Sequence, residues 1–387
     1  MGWIISGKGL GKGVRVKLLI QPEGGIKPIL EALRGAEKKI QILIFRFDRT
    51  EIEKALIAAV RRGVTVQALI AYTNQGEEKN LRRLESRLIA QGVMVTRTND
   101  DLVRYHGKMF VIDEKVAYIL GFNFTHMDID LSRSFGVALS RPSVVKDAVK
   151  LFECDSKRQP FTPEADDLVV SPINARKRLT EFISGAKKKL LLYEMKISDR
   201  EFVKLLNKKI SDGLEVRILS RAATKGGTVP VRRLNQRLHL RAIIRDDEHA
   251  FIGSQSLRKL ELEARREVGV IFKDKKIVKQ MEEIFEKDWK SSEPVLEADQ
   301  LTAALAIPAN KVAKEVAKHI GIKPVVEQVL DKVIDTKSDA PFEPAEVAQT
   351  VRQAFREEVH GAVMEALHEL VVKPAQEEAK AATEAKE

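Results

Sequence analysis

"KIQILIFRFDRTEIEKALIAAVRRGVTVQALI" (residues 39–70) and "KLLLYEMKISDREFVKLLNKKISDGLEVRILS" (residues 189–220) are one pattern written twice, at an offset of 150. Each opens on a short apolar run that reads as a buried strand. Each continues into a stretch with apolar side chains at helical spacing. Gly63 and Gly213 stand where that helix must end, and a further apolar, β-branched run closes the unit. The match extends upstream, where Pro22 meets Pro172 and Gly35-Ala36 meets Gly185-Ala186; within the helix, Glu51 meets Glu201. Strands alternating with helices of this length predict a mostly parallel or mixed sheet covered by helices.

The echo continues with "YHGKMFVIDEKVAYILGFNFT" (105–125) and "LHLRAIIRDDEHAFIGSQSL" (238–257), now at an offset of 133. The second copy is therefore shorter between its third strand and this point. The predicted fold is α/β: two similar α/β/α sandwich lobes related by a pseudo-twofold axis, spanning 16–160 and 161–290. Beyond them, residues 295–387 carry helical periodicity broken by prolines and read as a small acidic helical module.

Composition narrows the class of function. With 44% hydrophobic and 32% charged residues, the 387-residue chain is that of a soluble globular protein. Cys154 is the single cysteine, so no disulfide forms within the chain. No apolar run is long enough for a membrane-spanning helix and no signal peptide is legible, which predicts a cytoplasmic protein whose membrane contact is peripheral. The net charge of +11 is uneven. Residues 291–387 carry 11 Lys and Arg against 18 Asp and Glu, a net −7, which leaves +18 on residues 1–290. So basic a body favours polyanions: nucleic acid, anionic lipid surfaces or phosphate-bearing substrates.

Inside the second echo sits the chemistry. His106, Lys108 and Asp113 recur as His239, Arg241 and Asp246. Small polar residues follow each set: Gly121 and Asn123 in the first copy, Ser254 and Ser256 in the second. Glu267 follows in the second copy, with Ser134 at the matching place in the first. Strand period two puts His106 and Lys108 on one face, as it does His239 and Arg241. Phosphodiester cleavage needs a nucleophile, an acid for the leaving oxygen, and cations on the phosphoryl oxygens. Two histidines and two cations meet that demand without a metal. A carboxylate behind each histidine would fix its tautomer, a task for which Asp113 and Asp246 are the candidates. The basic segment Arg221, Lys225, Arg232, Arg233, Arg237 leads into His239 and is expected to rim the cleft. "HMDID" (126–130) is expected to be a solvated loop rather than a cation site.

At these residues the chain resembles the phospholipase D superfamily, whose mark is a duplicated H-x-K-x4-D followed by a small polar turn and a downstream Glu. The resemblance covers roughly residues 16–290. It implies one active site between two lobes, a phosphohistidine intermediate and no cofactor or metal. It implies His106 as nucleophile, His239 as general acid, and Lys108 and Arg241 as phosphate clamps aided by Asn123 and Ser256. Asp113 and Asp246 match the motif aspartates, and Ser254 and Glu267 the supporting polar residues. Arg241, Ser256, Ser134 and Gly121 depart from the pattern. The expected substrate is a phosphodiester, an anionic phospholipid whose headgroup is hydrolysed or transferred as in cardiolipin synthase-like members. A nuclease-like action on DNA or RNA, or a weakly catalytic phosphate-binding scaffold, are the alternatives. One chain suffices for one complete site.

Overall fold

The computed structural model describes residues 16–73, 78–220 and 231–294. The expected helical module at 295–387 lies outside the described residues, as do Arg221 and Lys225. The first lobe runs β1 (Val16–Gln21), α1 (Lys27–Arg34), β2 (Lys39–Ile44), α2 (Thr50–Arg61), β3 (Thr65–Ile70), α3 (Glu78–Ala90) and β4 (Met94–Arg97). It continues with β5 (Arg104–Tyr105), β6 (Met109–Ile112), β7 (Val116–Leu120), α4 (His126–Asp130), β8 (Ser132–Leu139) and α5 (Pro142–Lys157). The second lobe runs β9 (Leu168–Val170), α6 (Ala175–Ser184), β10 (Lys189–Glu194), α7 (Arg200–Ser211), β11 (Glu215–Ser220) and β12 (Val231–Arg233). There follow β13 (Arg237–Leu238), β14 (Arg241–Arg245), β15 (His249–Gly253), α8 (Lys259–Glu263), β16 (Arg265–Arg266), β17 (Val268–Lys273), α9 (Lys275–Lys290) and β18 (Glu293–Pro294).

Each lobe is built on a mixed sheet. The first has the order β1-β8-β7-β6-β2-β3-β4 and the second β18-β12-β11-β10-β14-β15-β17-β9. β2 pairs β3 in parallel and β6 antiparallel; β10 does the same with β11 and β14. Alternation along the strands explains the layering. Ile40, Ile42 and Ile44 of β2 face a cluster filled by α1, α2 and α3, while Leu43 faces the opposite way. In β10, Leu190 and Leu192 join α6 and α7, and Leu191 and Tyr193 point inward. The inward residues of both sheets share one cluster with Leu151 and Phe152 of α5 and Met281 and Phe285 of α9. The two lobes therefore divide one central core between them, and the two-lobed α/β fold is the one the repeat predicts.

Two short parallel pairings lock the lobes. β5 pairs β16, with Arg104 opposite Arg265 and Tyr105 opposite Arg266. β13 pairs β8, with Arg237 opposite Ser132 and Leu238 opposite Arg133. At the offset of 133 these are the same contact seen twice, so the pseudo-twofold relation holds at the level of single residues. The backbone amide just past each pairing crosses as well: His106 N–H donates to Arg266 O at 2.7 Å and His239 N–H to Arg133 O at 3.1 Å.

Candidate active site

Those crossings carry the two histidines to the seam between lobes. Gly107, between His106 and Lys108, shows how close the approach is. A Cβ there would lie 2.8 Å from Val268 Cγ2 of the second lobe, so only glycine fits. Both histidines and both cations are buried. The structure brings together His106, Lys108, Asn123, His239, Arg241, Ser254, Ser256 and Glu267, each linked to another of them or to a neighbour of the same seam.

His106 Nδ1 lies 2.8 and 2.9 Å from the carboxylate oxygens of Glu267, across the lobe boundary. Lys108 Nζ lies 2.9 Å from His106 Nε2 and donates to His106 O at 2.6 Å. This assigns the proton to Nδ1 and the lone pair to Nε2, the atom shared with Lys108. Burial pushes the His106 ring well below its usual basicity, and the charges of Lys108 and Arg241 add to the effect. Burial also pulls Lys108 down, to about 7, against the attraction of Glu267. Glu267 is raised by its own burial, opposed chiefly by Lys108.

His239 finds its carboxylate in a residue to which the sequence assigned no such part. Its Nδ1 lies 3.2 Å from Asp128 Oδ2, within ion-pair reach though not aligned for a hydrogen bond. Asp128 also accepts from Asn123 N–H at 3.0 Å, Asn123 Nδ2 at 2.7 Å and Arg237 Nη1 at 2.8 Å. Burial alone would raise the Asp128 carboxyl, but the charges of His239 and Arg237 and the Asn123 amide outweigh it and hold it far below the ordinary carboxylate range. Burial depresses His239 too, and Asp128 pulls against that. At the offset of 133 the counterpart of Asp128 is Glu261, whose carboxylate accepts from Ser256 N–H at 2.8 Å. That match was the available signal for Asp128. The segment 126–130 is thus no open loop but a short helix capped by Thr125, and Asp128 is turned inward to His239 rather than toward His126 and Asp130.

Two departures from the motif now have reasons. Ser134, at the place of Glu267, donates to His239 O at 2.7 Å, and Asp128 supplies the carboxylate that Ser134 lacks. Gly121 lies where a Cβ would meet Phe135 O at 2.9 Å, leaving no room for a serine. On the second side, Arg241 Nε donates to Ser256 Oγ at 3.0 Å, while Arg241 Nη1 is buried without a hydrogen-bond partner among the described residues. Ser254 bridges to β17, its Oγ accepting from Val268 N–H at 3.0 Å.

Asp113 and Asp246 do not stand behind the histidines, and that expectation is corrected here. Asp113 accepts the amides of Glu37, Lys38 and Lys39 at 2.7–3.2 Å, and Asp246 those of Lys187, Lys188 and Lys189 at 2.7–3.1 Å. The reason is strand length. Five steps of extended chain lead from Lys108 to Asp113, roughly 16 Å at ~3.3 Å each, so the carboxylate reaches the far end of the sheet. Of the expected basic rim, Arg237 lines the site through Asp128, whereas Arg232 lies over the Trp289 ring at 5.4 Å and bonds Ser292. Among the described residues no group of three or more metal-ligating side chains converges, and no helix is long and apolar enough to cross a membrane.

The sequence profile of the family described as cardiolipin synthase, PLD-like domain, matches residues 29–156 and 179–289. Cardiolipin synthase B of Escherichia coli strain K12 is 23% identical over 326 residues, covering 68% of this chain and 78% of that protein. Among solved structures, phosphatidylserine synthase of Haemophilus influenzae Rd KW20 superposes with a TM-score of 0.57 at 12% identity, over 74% of this chain and 90% of that one. Polyphosphate kinase of Porphyromonas gingivalis gives a TM-score of 0.61 at 19% identity over 70% of this chain, which spans 46% of the kinase. Both structural likenesses are likenesses of fold.

Proposed function

This chain belongs to the family of cardiolipin synthase, PLD-like domains, and from that footing we propose that it is a phosphatidyltransferase or phosphodiesterase acting on phospholipid headgroups. The observation that carries the reading is the seam itself: two buried histidines, each facing a carboxylate of the opposite lobe, each followed two residues later by a cation.

In this reading His106 Nε2 attacks phosphorus and forms a phosphohistidine, and the P–O bond to the headgroup breaks. The departing oxygen takes its proton from His239, whose charged form the ionised Asp128 stabilises. An acceptor hydroxyl, from water or an alcohol, then gives its proton back to His239 and attacks phosphorus, and His106 leaves. Lys108 and Arg241 hold the phosphoryl oxygens, and the partnerless Nη1 of Arg241 is one donor ready for them. The difference between the two carboxylates supports the assignment of roles. Glu267 orients a histidine that must stay neutral to attack; Asp128 keeps its charge beside the one that must carry a proton.

Lipid is favoured over nucleic acid by the surroundings. The short helices α4 and α8, which deliver Asp128 and Glu261, expose Met127 and Leu260; Leu131 follows α4, and Val103 bonds the backbone just past α8. Apolar side chains around a basic site suit a lipid surface. The +18 charge of residues 1–290 is the feature that speaks for nucleic acid. A panel of phosphatidylglycerol, phosphatidylcholine, single-stranded DNA and double-stranded DNA tests the two. Turnover of a phospholipid, lost by on the order of 10³-fold or more in His106→Ala, is the expected result. DNA cleavage without lipid turnover would sink the lipid reading.

A further inference from the structure

Arg133 and Arg266 are counterparts at the offset of 133, and so are Asp155 and Asp288. The fold joins them crosswise into two buried ion pairs that the reaction above does not use. Arg133 of the first lobe reaches α9 of the second, where Nε donates to Asp288 Oδ2 at 2.8 Å and Nη2 to Asp288 Oδ1 at 3.1 Å. Arg266 of the second lobe reaches α5 of the first, where Nη2 lies 3.2 Å from Asp155 Oδ1. Nη1 is placed alike in both: that of Arg133 donates to Gln21 O at 3.0 Å and that of Arg266 to Ser171 O at 3.1 Å.

Each arginine also crosses the seam with its backbone, since Arg266 O accepts the His106 amide and Arg133 O the His239 amide. The residue after each arginine touches the same histidine, Glu267 at the ring of His106 and Ser134 at the carbonyl of His239. Each arginine is thus a clip with two ends. One end is on a histidine's backbone, and the other is on a helix of the lobe that histidine comes from. Phe152 and Phe285, three residues before the aspartates, anchor those helices in the shared core. Cohesion alone does not call for charges here, because an apolar pair of similar volume holds a buried interface as well. What the guanidinium–carboxylate fork adds is direction, and with it a fixed course for the arginine main chain. The two clips differ in strength. Asp288 also accepts from Tyr193 Oη at 2.7 Å, whereas Asp155 Oδ2 and Arg266 Nε have no hydrogen-bond partner among the described residues.

We propose that Asp155 and Asp288 are positioning residues, one for each histidine: Asp155 acts through Arg266 and Glu267 on His106, and Asp288 through Arg133 and Ser134 on His239. This deepens the reading above and rests on its division of labour between nucleophile and general acid. The two aspartates therefore govern different parts of one step. A misplaced His106 attacks every diester more slowly. A misplaced His239 matters only where the leaving oxygen needs a proton.

The test uses the full chain and two diesters, p-nitrophenyl butyl phosphate, whose nitrophenolate leaves without a proton, and dibutyl phosphate, whose alcohol does not. Asp155→Asn should lower kcat/KM for both by the same factor, about tenfold or more. Asp288→Asn should lower it about tenfold or more for dibutyl phosphate and less than about threefold for the nitrophenyl ester. Removing one partner leaves a buried charge unpaired, so each pair is also replaced whole, Asp155→Leu with Arg266→Met and Asp288→Leu with Arg133→Met. These double variants should melt near the wild type and show the same two patterns. Wild-type kinetics in them, or losses in Asp155→Asn and Asp288→Asn that depend on the leaving group in the same way, overturn the proposal. If the wild type turns over neither diester, the transfer reading has failed by itself. The clips are then judged by the ring-nitrogen resonances of protein labelled with 15N-histidine, assigned through His106→Gln and His239→Gln. Asp155→Asn should move the His106 signals and spare those of His239, and Asp288→Asn the reverse. Signals that stay put, or that move together, refute it.

Discussion

In the proposed reaction, Lys108 would set a limit on the pH at which the seam works. It is an ammonium below its folded pKa of about 7 and an amine above it. A clamp on phosphoryl oxygens needs the cation, so the clamp is present below about 7 and is lost as pH rises through that value. The expected outcome is an alkaline limb near pH 7 in kcat/KM for a diester. Lys108→Arg should move that limb upward by two pH units or more, because guanidinium stays charged. Arg241, buried at the counterpart position, shows that the fold accommodates the larger group there. A limb that stays put in Lys108→Arg would belong to another residue. Stability follows from the same shift, with the sign checked. Between about 7 and the unfolded value of about 10.4 the unfolded chain holds a proton that the folded chain lacks. The group's unfavourable contribution is therefore full below about 7 and fades as pH rises toward 10.4. At this scale the sequence was a better guide to which side chains meet at the seam than to their partners. His106, Lys108, His239 and Arg241 announce themselves by spacing and repetition. Asp128 does not, because it faces His239 from a different lobe, 111 positions away in the chain.

Among the elements, the β6–β7 hairpin gives the sharpest test. Asp113 and Glu114 both have positive φ, 53° and 54°, and Asp246 and Asp247 repeat this at 52° and 62°. Consecutive left-handed residues are what a type I′ turn needs, and aspartate tolerates that region better than most residues. The side chain then ties the turn to the start of β2 through three backbone amides. Asp113→Ala should cost on the order of 2 kcal/mol in a denaturant melt, since the amides lose their acceptor and the turn its favoured residue. Turnover per folded molecule should stay within about twofold. A loss of 10²-fold or more without a stability change would restore Asp113 to the active site. The turn was legible beforehand, since two apolar runs flank "DEK" and "DDE". What misled was reading three residues of one motif as one cluster, when the strand between Lys108 and Asp113 holds them apart. The strands and helices themselves were readable, because period two and helical spacing each leave a direct mark on which side chains are apolar.

For the molecule as a whole, the shared core decides how it comes apart. Leu43, Leu191, Phe152 and Phe285 lie in one cluster, fed by both sheets. Neither lobe keeps that face covered alone, so β2–β3 and β10–β11 should lose hydrogen-exchange protection at the same denaturant concentration. Protection lost in two well-separated steps would show lobes that fold independently. The duplication was visible in the sequence, but the sharing of a core was not, because an inward-facing leucine looks alike whichever neighbour covers it. The pairing of Gly107 with Val268 and of Ser134 with His239 has a further meaning. An assembly of two identical halves would offer its substrate two indistinguishable directions, with either histidine as attacker. Here one chain encodes both halves, so each residue near the axis is free to differ from its counterpart. Glycine stands against Leu240, serine against Glu267, and lysine against Arg241. The fused chain has turned a symmetric doorway into one with a front and a back.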